Sequence, residues 1–303
     1  MMNPLKSSIF LSAVSWVVRA ADWFQRKSAT GRRIRSLRNR FYRETWNQVA
    51  DQLGIPCRML DRDLVQFEPV DGKPFQVRRN YTTLDGPETL KLAGDKSKVN
   101  NILSSHSLPV VNYLEFDASS IHSAREFFHS MEGPCVVKPA FGTGAGQGVT
   151  THICSENELA WACARALKHD RRLLIERQIA GENYRLLFCR GDLLDVVRRD
   201  PPHLIGDGRS TVRKLIQNEN RRRVESWENA QSLLQIDQDA VQTLRHQGYR
   251  LKSVPGDGER FQVKTVINDN AAHENVSVTD EMGISVIDSC RQAASLLGVQ
   301  LAG

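Results

Sequence analysis

An α+β chain is the fold class the sequence predicts, with strand pairs and helices gathered in separable lobes. Short β-branched runs joined by glycine-rich connectors point to the strand pairs. Val136-Val137-Lys138 runs into Gly142-Thr143-Gly144-Ala145-Gly146-Gln147-Gly148, and Val149-Thr150-Thr151 resumes an extended pattern. Stretches of helical spacing with readable ends lie between such pairs, as in Glu156–Lys168 after Ser155. With 303 residues the chain is long enough for two or three lobes with cores of their own, and it shows neither internal repeats nor a low-complexity linker.

From the N-terminus, residues 1–30 read as an apolar helix closed by the polar break Lys27-Ser28-Ala29-Thr30-Gly31. Residues 32–54 predict a second helix, in which Leu37, Tyr42, Trp46, Val49 and Leu53 recur near helical spacing and Gly54 is the stop. Strands follow at Cys57–Leu60, Leu64–Phe67 and Phe75–Val77, the last two joined by an Asp71-Gly72 turn. Leu84–Leu92 is helix-rich, and Asp95 caps a helix running to about Ser107. Leu108–Val111 is read as extended, Ser123–Met131 as helix and Pro134–Pro139 as strand. Leu173–Phe188 reads as strand, connector, strand, and an extended segment begins at Asp195. Helices are expected at Thr211–Asn220, Gln238–Gln247 and Met282–Leu297, the last followed by Gly298 and a strand start at Val299-Gln300-Leu301. The boundaries implied are a basic helical region over 1–54, a connecting segment over 55–94 and a main domain over 95–303.

Composition is that of an ordinary soluble chain, 40% hydrophobic and 25% charged. The net charge of +6 is uneven, with Arg19, Arg26, Lys27, Arg32, Arg33, Arg35, Arg38, Arg40 and Arg43 crowded together and a second cluster at Arg221-Arg222-Arg223. Such clusters bind acidic partners or membrane surfaces, or form solvated helix faces. No nucleic-acid motif accompanies them, so no specific nucleic-acid partner is expected. The apolar run Ser8–Val18 is too short to span a bilayer, and its flanking charges do not suit a cleaved secretory signal. Contact of this N-terminal helix with a membrane surface, packing on its own protein, or packing on a second copy in a homo-oligomer are the uses open to it, packing being the commoner. The six scattered cysteines lack metal-type spacing and fit a reducing, cytoplasmic setting.

The glycine-rich loop is the segment that speaks to chemistry. Alternating glycines let backbone N–H groups approach an anion, and Lys138 at the strand end can place a point charge on it. A nucleotide phosphate is the expected anion. The loop lacks the Gly-Lys-Ser/Thr ending of a Walker loop, and a strand follows it where a dinucleotide fingerprint would have a helix.

Downstream, Glu176-Arg177-Gln178-Ile179-Ala180-Gly181-Glu182-Asn183-Tyr184-Arg185 is followed by Arg198-Arg199-Asp200-Pro201-Pro202-His203-Leu204-Ile205-Gly206-Asp207-Gly208. With Lys138-Pro139 and the glycine loop, these segments resemble the ATP-grasp superfamily, and within it the ATP-grasp domains of cyanophycin synthetases and of bifunctional glutathione-synthesising ligases. The resemblance covers residues 75–303. It implies two α+β lobes gripping ATP, the main domain being the ATP-grasp domain and residues 55–94 a pre-ATP-grasp segment. It also implies an ATP-dependent ligase that joins a small-molecule carboxylate to an amine, forming an amide through an acyl phosphate on an amino-acid or peptide-like substrate. Two other readings are a nucleotide-binding module without catalysis and a basic surface-binding protein.

Residue by residue, the resemblance assigns ATP phosphates to Lys96 and Lys138, and the lid over them to Gly142, Gly144, Gly146 and Gly148. The adenine hinge falls on Glu176, Gln178 and Ile179, and the ribose contact on Asn183, where the family often has an acidic residue. Arg185 and Arg198 are the candidate catalytic arginines, because a planar guanidinium can hold a phosphate or substrate carboxylate with two bonds. His203 is read as structural. The sequence departs from the family at Asn268-Asp269-Asn270-Ala271-Ala272-His273, which lacks the Ser-Thr-Gly-Gly of cyanophycin synthetases, so their substrate is not carried over. The family's magnesium carboxylates would follow Leu301-Ala302-Gly303. The expectation is therefore that the C-terminal end of the grasp fold is missing, that the Mg2+ ligands lie beyond this chain, and that no residue here is a metal ligand.

Overall fold

The computed structural model describes residues 29–144, 146–225, 233–265 and 274–303. Residues 1–28 of the expected apolar helix over residues 1–30, and the run Asn268–His273, lie outside them. The expected α+β class is what the chain adopts: helices on antiparallel sheets.

Helix α1 (Ala29–Leu53) leads into an antiparallel three-stranded sheet of β1 (Cys57–Asp61), β2 (Leu64–Phe67) and β3 (Phe75–Arg78), ordered β1-β2-β3. The C-terminal half of α1 is tied to this sheet. Ala50 is buried with Val65, Phe67 and Val77, and Trp46 packs beside them while its Nε1 donates to the Arg79 carbonyl at 2.7 Å. Two short helices follow, α2 (Pro87–Ala93) and α3 (Lys96–Ser105). Asp95 caps α3 as its sequence position predicts, its carboxylate accepting from the Lys98 N–H at 3.2 Å.

The next lobe is a four-stranded antiparallel sheet of β4 (Tyr113–Phe116), β5 (Cys135–Pro139), β6 (Thr150–Ile153) and β7 (Leu173–Arg177), ordered β4-β7-β5-β6. The segment Leu108–Val111, read as extended, pairs with no strand here; the strand lies just beyond it at Tyr113–Phe116. Pairing with β7 decides this, through Tyr113↔Glu176 and Phe116↔Leu173. Helices α4 (Ile121–Ser130) and α5 (Glu156–Ala166) cover one face. Alternation puts Phe116, Cys135, Val137, Leu173 and Ile175 on that face, where they join Leu159, Cys163 and Ala166 in the largest core. The opposite face carries Tyr113, Glu115, Val136, Lys138, Leu174 and Glu176.

The chain then forms β8 (Tyr184–Cys189), β9 (Asp192–Arg199) and β10 (His203–Ile205), helices α6 (Val212–Arg223) and α7 (Gln238–His246), and strands β11 (Arg260–Gln262) and β12 (Asn275–Ser277). A 3-10 turn at Thr279–Glu281, helix α8 (Ile284–Leu296) and β13 (Leu301–Ala302) complete it. The second four-stranded sheet is ordered β12-β9-β8-β13, while β10 and β11 pair under α6 and α7 around Val212, Ile216, Leu244 and Phe261. That small unit is bound to the glycine-loop lobe. The Thr151 and Thr265 hydroxyls are hydrogen-bonded, Thr265 donates to Asp239 at 2.5 Å, and His246 lies 3.6 Å from Glu158.

Helix α6 runs past the expected Asn220 through the Arg221–Arg223 cluster, and this changes what the cluster is. Arg223 is 1% exposed, with its guanidinium 2.8 Å from Glu219 and 3.6 Å from Glu274, and Arg222 also pairs with Glu219. Arg223 is thus a buried clamp between α6 and the segment leading to β12, while Arg221 and Arg222 stay exposed.

Candidate nucleotide site

The site is built from the helix-free face of the β4-β7-β5-β6 sheet. On neighbouring strands, Val136 stands opposite Glu176 and Lys138 opposite Leu174. Lys138 and Glu176 are therefore diagonal neighbours on one face, and Lys138 Nζ lies 2.6 Å from Glu176 Oε2 and donates to Oε1 at 2.7 Å. Val136 and Leu174, both buried, form an apolar floor beside them.

Lys96 joins from the start of α3, held by three contacts. Its own N–H donates to the Ala140 carbonyl at 2.9 Å, Asp95 caps the helix beneath it, and its Nζ donates to Thr143 Oγ1 in the glycine loop at 3.3 Å. Asp95 is buried and bridged at 2.9 Å by Arg172, which also reaches Glu115 at 3.5 Å. Burial, with the nearby charge of Lys138, pushes the Lys96 ammonium below its ordinary pKa. Two partly desolvated cations on one face, with Thr143 at the tip, form an arrangement suited to a polyanion.

Three of the four loop glycines divide into two kinds. Gly142 and Gly144 have open space where a side chain would stand. Gly148 is buried at φ +75°, and a Cβ there would sit 2.7 Å from His169 Cδ2 and 2.8 Å from Pro139 Cγ. Gly148 is thus required by packing at the entry to β6, while Gly142 and Gly144 lie in the part of the loop free to cover a ligand.

At the hinge, Glu176 is already committed to Lys138. Gln178 is hydrogen-bonded to neighbouring segments. Its N–H donates to the Pro134 carbonyl at 2.9 Å, and its Oε1 accepts from the His152 N–H at 2.7 Å. Among the hinge residues Ile179 is the exposed apolar one, at 63%. Asn183 is exposed, and its carbonyl accepts from the Arg199 N–H at 2.8 Å.

The two candidate catalytic arginines do not stand together. Register pairs Arg185 with Val197 and Tyr184 with Arg198, so Arg185 and Arg198 project from opposite faces of the β8–β9 ribbon. Arg198 is paired with Asp200 at 3.3 Å, on the face where Arg291 of α8 covers Phe188. Arg199 shares the face of Arg185. Burial, reinforced by the Arg185 charge, pushes its guanidinium down to about 10. The Arg198-Arg199 dipeptide made one of the two a candidate, and only the register shows which one accompanies Arg185. Asp195 shares that face and accepts from Ser277 Oγ at 2.6 Å and Thr279 Oγ1 at 2.9 Å. His203 Nδ1 lies 2.7 Å from the Pro201 carbonyl, within its own turn.

Residues 102–190, which include the loop, Lys138, Glu176 and Arg185, match the family model for the D-ala D-ala ligase C-terminus. Cyanophycin synthetase of Trichormus variabilis is 30% identical over 263 residues, covering 84% of this chain and 28% of that protein. The chain is a relative of the ATP-grasp ligases. The glutathione biosynthesis bifunctional protein of Desulfotalea psychrophila is 24% identical over 258 residues, covering 82% of this chain and 33% of that protein. Among solved structures, a bifunctional glutathione synthetase from Pasteurella multocida is 20% identical with a TM-score of 0.48, covering 83% of this chain and 34% of that one. The chain spans about a quarter to a third of the length of the curated relatives it matches. ATP-grasp ligases as a group use ATP and Mg2+. Among the described residues no three His, Cys, Asp or Glu side chains gather to hold a metal ion, and Asp195 is engaged by Ser277 and Thr279.

Proposed function

We propose that this chain binds ATP on the Lys96–Lys138 face and acts as an ATP-dependent carboxylate–amine ligase on an amino-acid or peptide-like substrate. The observation that carries the reading is the convergence of Lys96, Lys138 and Thr143 beside the apolar floor of Val136 and Leu174. Adenine would lie against that floor, bounded by Ile179, with the ribose near Asn183. The phosphates would extend toward Lys96 and the open part of the loop at Gly142 and Gly144.

In the reaction, a substrate carboxylate oxygen attacks the γ-phosphorus and ADP leaves, giving an acyl phosphate. The amine then attacks the acyl carbon, inorganic phosphate departs, and the ammonium proton is lost to solvent or base. Charge on the transferring phosphoryl oxygens is what the enzyme must stabilise. Lys96 supplies a cation there, and Arg185 with Arg199 offers a second cationic face for the carboxylate or the leaving phosphate. No step here is routed through a metal.

Incubation with ATP, Mg2+, mixed amino acids and hydroxylamine tests the reading, since hydroxylamine captures an acyl phosphate as a hydroxamate. Hydroxamate formation that requires ATP and falls in Lys96→Ala supports it. ATP binding unchanged by both Lys96→Ala and Lys138→Met would remove the site altogether.

A further inference from the structure

Helices α5 and α7 meet across the junction between the glycine-loop lobe and the small unit, and the stripes they turn to each other are largely polar. Glu158, Trp161 and Arg165 form the stripe on α5, and Gln238, Val241 and Arg245 the one on α7. Each follows the i, i+3, i+7 spacing of one helix face. A cavity of about 290 Å³ lies between them. It is separate from the Lys96–Lys138 face, because α5 packs on the other side of that sheet.

The charges around this cavity do not cancel. Glu158 is engaged already: its carboxylate accepts from the Cys154 N–H at 2.9 Å and from the Gln242 side chain, and it lies 3.6 Å from His246. Arg165 donates only to a neutral group, the Thr150 hydroxyl, at 3.2 Å, and Arg245 is exposed on the last turn of α7. Among the described residues no carboxylate pairs with either guanidinium. A planar guanidinium in that condition can take two phosphate oxygens without first breaking an ion pair. The same cavity leaves apolar surface open, with Trp161 51% and Val241 40% exposed. An indole face in a cleft accepts a flat ring by stacking. Gln238 adds an exposed side-chain amide, a donor and an acceptor together, the combination that matches the edge of a nucleobase.

We propose that the α5–α7 cavity is a binding site for a nucleoside monophosphate, with the base on Trp161 and the phosphate drawn to the unpaired arginines. Ring and anion are both needed. Phosphate alone leaves Trp161 and Val241 in water, and an uncharged ring leaves the guanidinium groups without a counter-ion. The volume sets the size, since small-molecule pockets begin at about 300 Å³. That suits one nucleoside with a single phosphate and excludes a polymer. The site does not depend on the assignment of ATP to the Lys96–Lys138 face.

The test is calorimetric titration of the full chain with AMP, and with adenosine and inorganic phosphate as its two parts. AMP should bind more tightly than either part, and should quench tryptophan emission in the parent but not in Trp161→Phe. Trp161→Ala should raise the Kd for AMP about 5- to 150-fold, the range for one base stacked on an aromatic ring. Arg245→Gln should raise it at least about tenfold, as for one lost charge-assisted bond. Both side chains are exposed, so thermal unfolding of these variants should stay near that of the parent. Lys96→Ala, on the other side of the sheet, should leave the affinity within about twofold. No saturable binding of AMP, GMP, CMP or UMP tighter than about 1 mM would overturn the proposal. So would inorganic phosphate that binds as tightly as AMP, or AMP binding that is lost in Lys96→Ala and kept in Arg245→Gln.

Discussion

Removing Lys138 should have two effects that a second substitution separates. The Lys138–Glu176 pair is mostly shielded, with side chains 21% and 12% exposed and a 2.6 Å approach. At an effective dielectric of about 20, two charges about 2.7 Å apart attract by roughly 6 kcal/mol. Desolvating them opposes this by several kcal/mol per ion, so the intact pair contributes little net stability. Deleting one partner is different, because a carboxylate is then left buried without its cation, at a cost of about 3–5 kcal/mol. Lys138→Met should thus lower the unfolding free energy by that amount, and Lys138→Met/Glu176→Gln should regain most of it. If Lys138 also contacts the nucleotide, ATP affinity behaves otherwise. Both variants should bind ATP about 1–3 kcal/mol more weakly, roughly 5- to 150-fold in Kd, since neither has the cation. Denaturant unfolding measures the first quantity and calorimetric titration the second. A double variant that recovers ATP affinity along with stability would refute the phosphate role and leave the pair purely structural.

The remaining expectations follow from packing, face and charge. Gly148→Ala should destabilise by about 1–3 kcal/mol in thermal unfolding, because its Cβ would meet Pro139 and His169 at a positive φ. Gly144→Ala, which has open space, should change stability by less than about 1 kcal/mol. Arg185→Ala should reduce turnover in an ADP-release assay at least about tenfold, the order of one lost charge-assisted bond. Arg198→Ala, on the other face and paired with Asp200, should leave turnover within about twofold and cost at most about 1 kcal/mol of stability. Burial, the main influence, holds the His203 imidazole below its ordinary pKa despite the favourable Pro201 carbonyl. Its contribution to stability is therefore present above about pH 6.5 and is lost as pH falls through the lower folded value. His203→Gln should flatten the fall in stability between about pH 7 and 5, as read from unfolding midpoints.

Much of the architecture was legible because local rules and tertiary packing agree. Ser155 and Asp95 cap helices where their hydroxyl and carboxylate demand it, and the strands around the glycine loop follow from β-branched runs broken by glycine. The segment Leu108–Val111 shows where the rules give out. It looks as extended as any strand, yet the partner edge of β7 is met by Tyr113–Phe116, and no local signal says which stretch will reach it. Short pieces such as β11 and β12 carry the same ambiguity, since three residues hold too little periodicity to identify. Arg223 reads as part of a charged surface for a related reason. The carboxylates that bury Arg223 come from one turn away and from Glu274, far along the chain.

The site divides along the same line. Placements that depend on chain proximity, such as Lys138 beside its loop, could be read from order alone. Placements that depend on which side of a strand a residue occupies could not. Arg198 and Arg199 are adjacent and chemically identical, and each is as good a phosphate ligand as the other in isolation. What separates them is the pairing of Arg185 with Val197, which sends Arg199 to the face of Arg185 and Arg198 to the face covered by α8. A one-residue slip in that ribbon would exchange them. The β-bulge at Leu187/Phe188 breaks regular pairing nearer the Gly191 turn, so the spacing from that turn does not fix the register at Arg198 and Arg199. Asp195 adds an anchor on β9, since its carboxylate binds both Ser277 and Thr279 and ties the strand to the segment beyond it. Breaking that anchor with Asp195→Ala should therefore disturb the Arg185–Arg199 face more than truncating Arg198 does. The observable is ADP release, and a variant no worse than Arg198→Ala would show that the register is held by the ribbon alone.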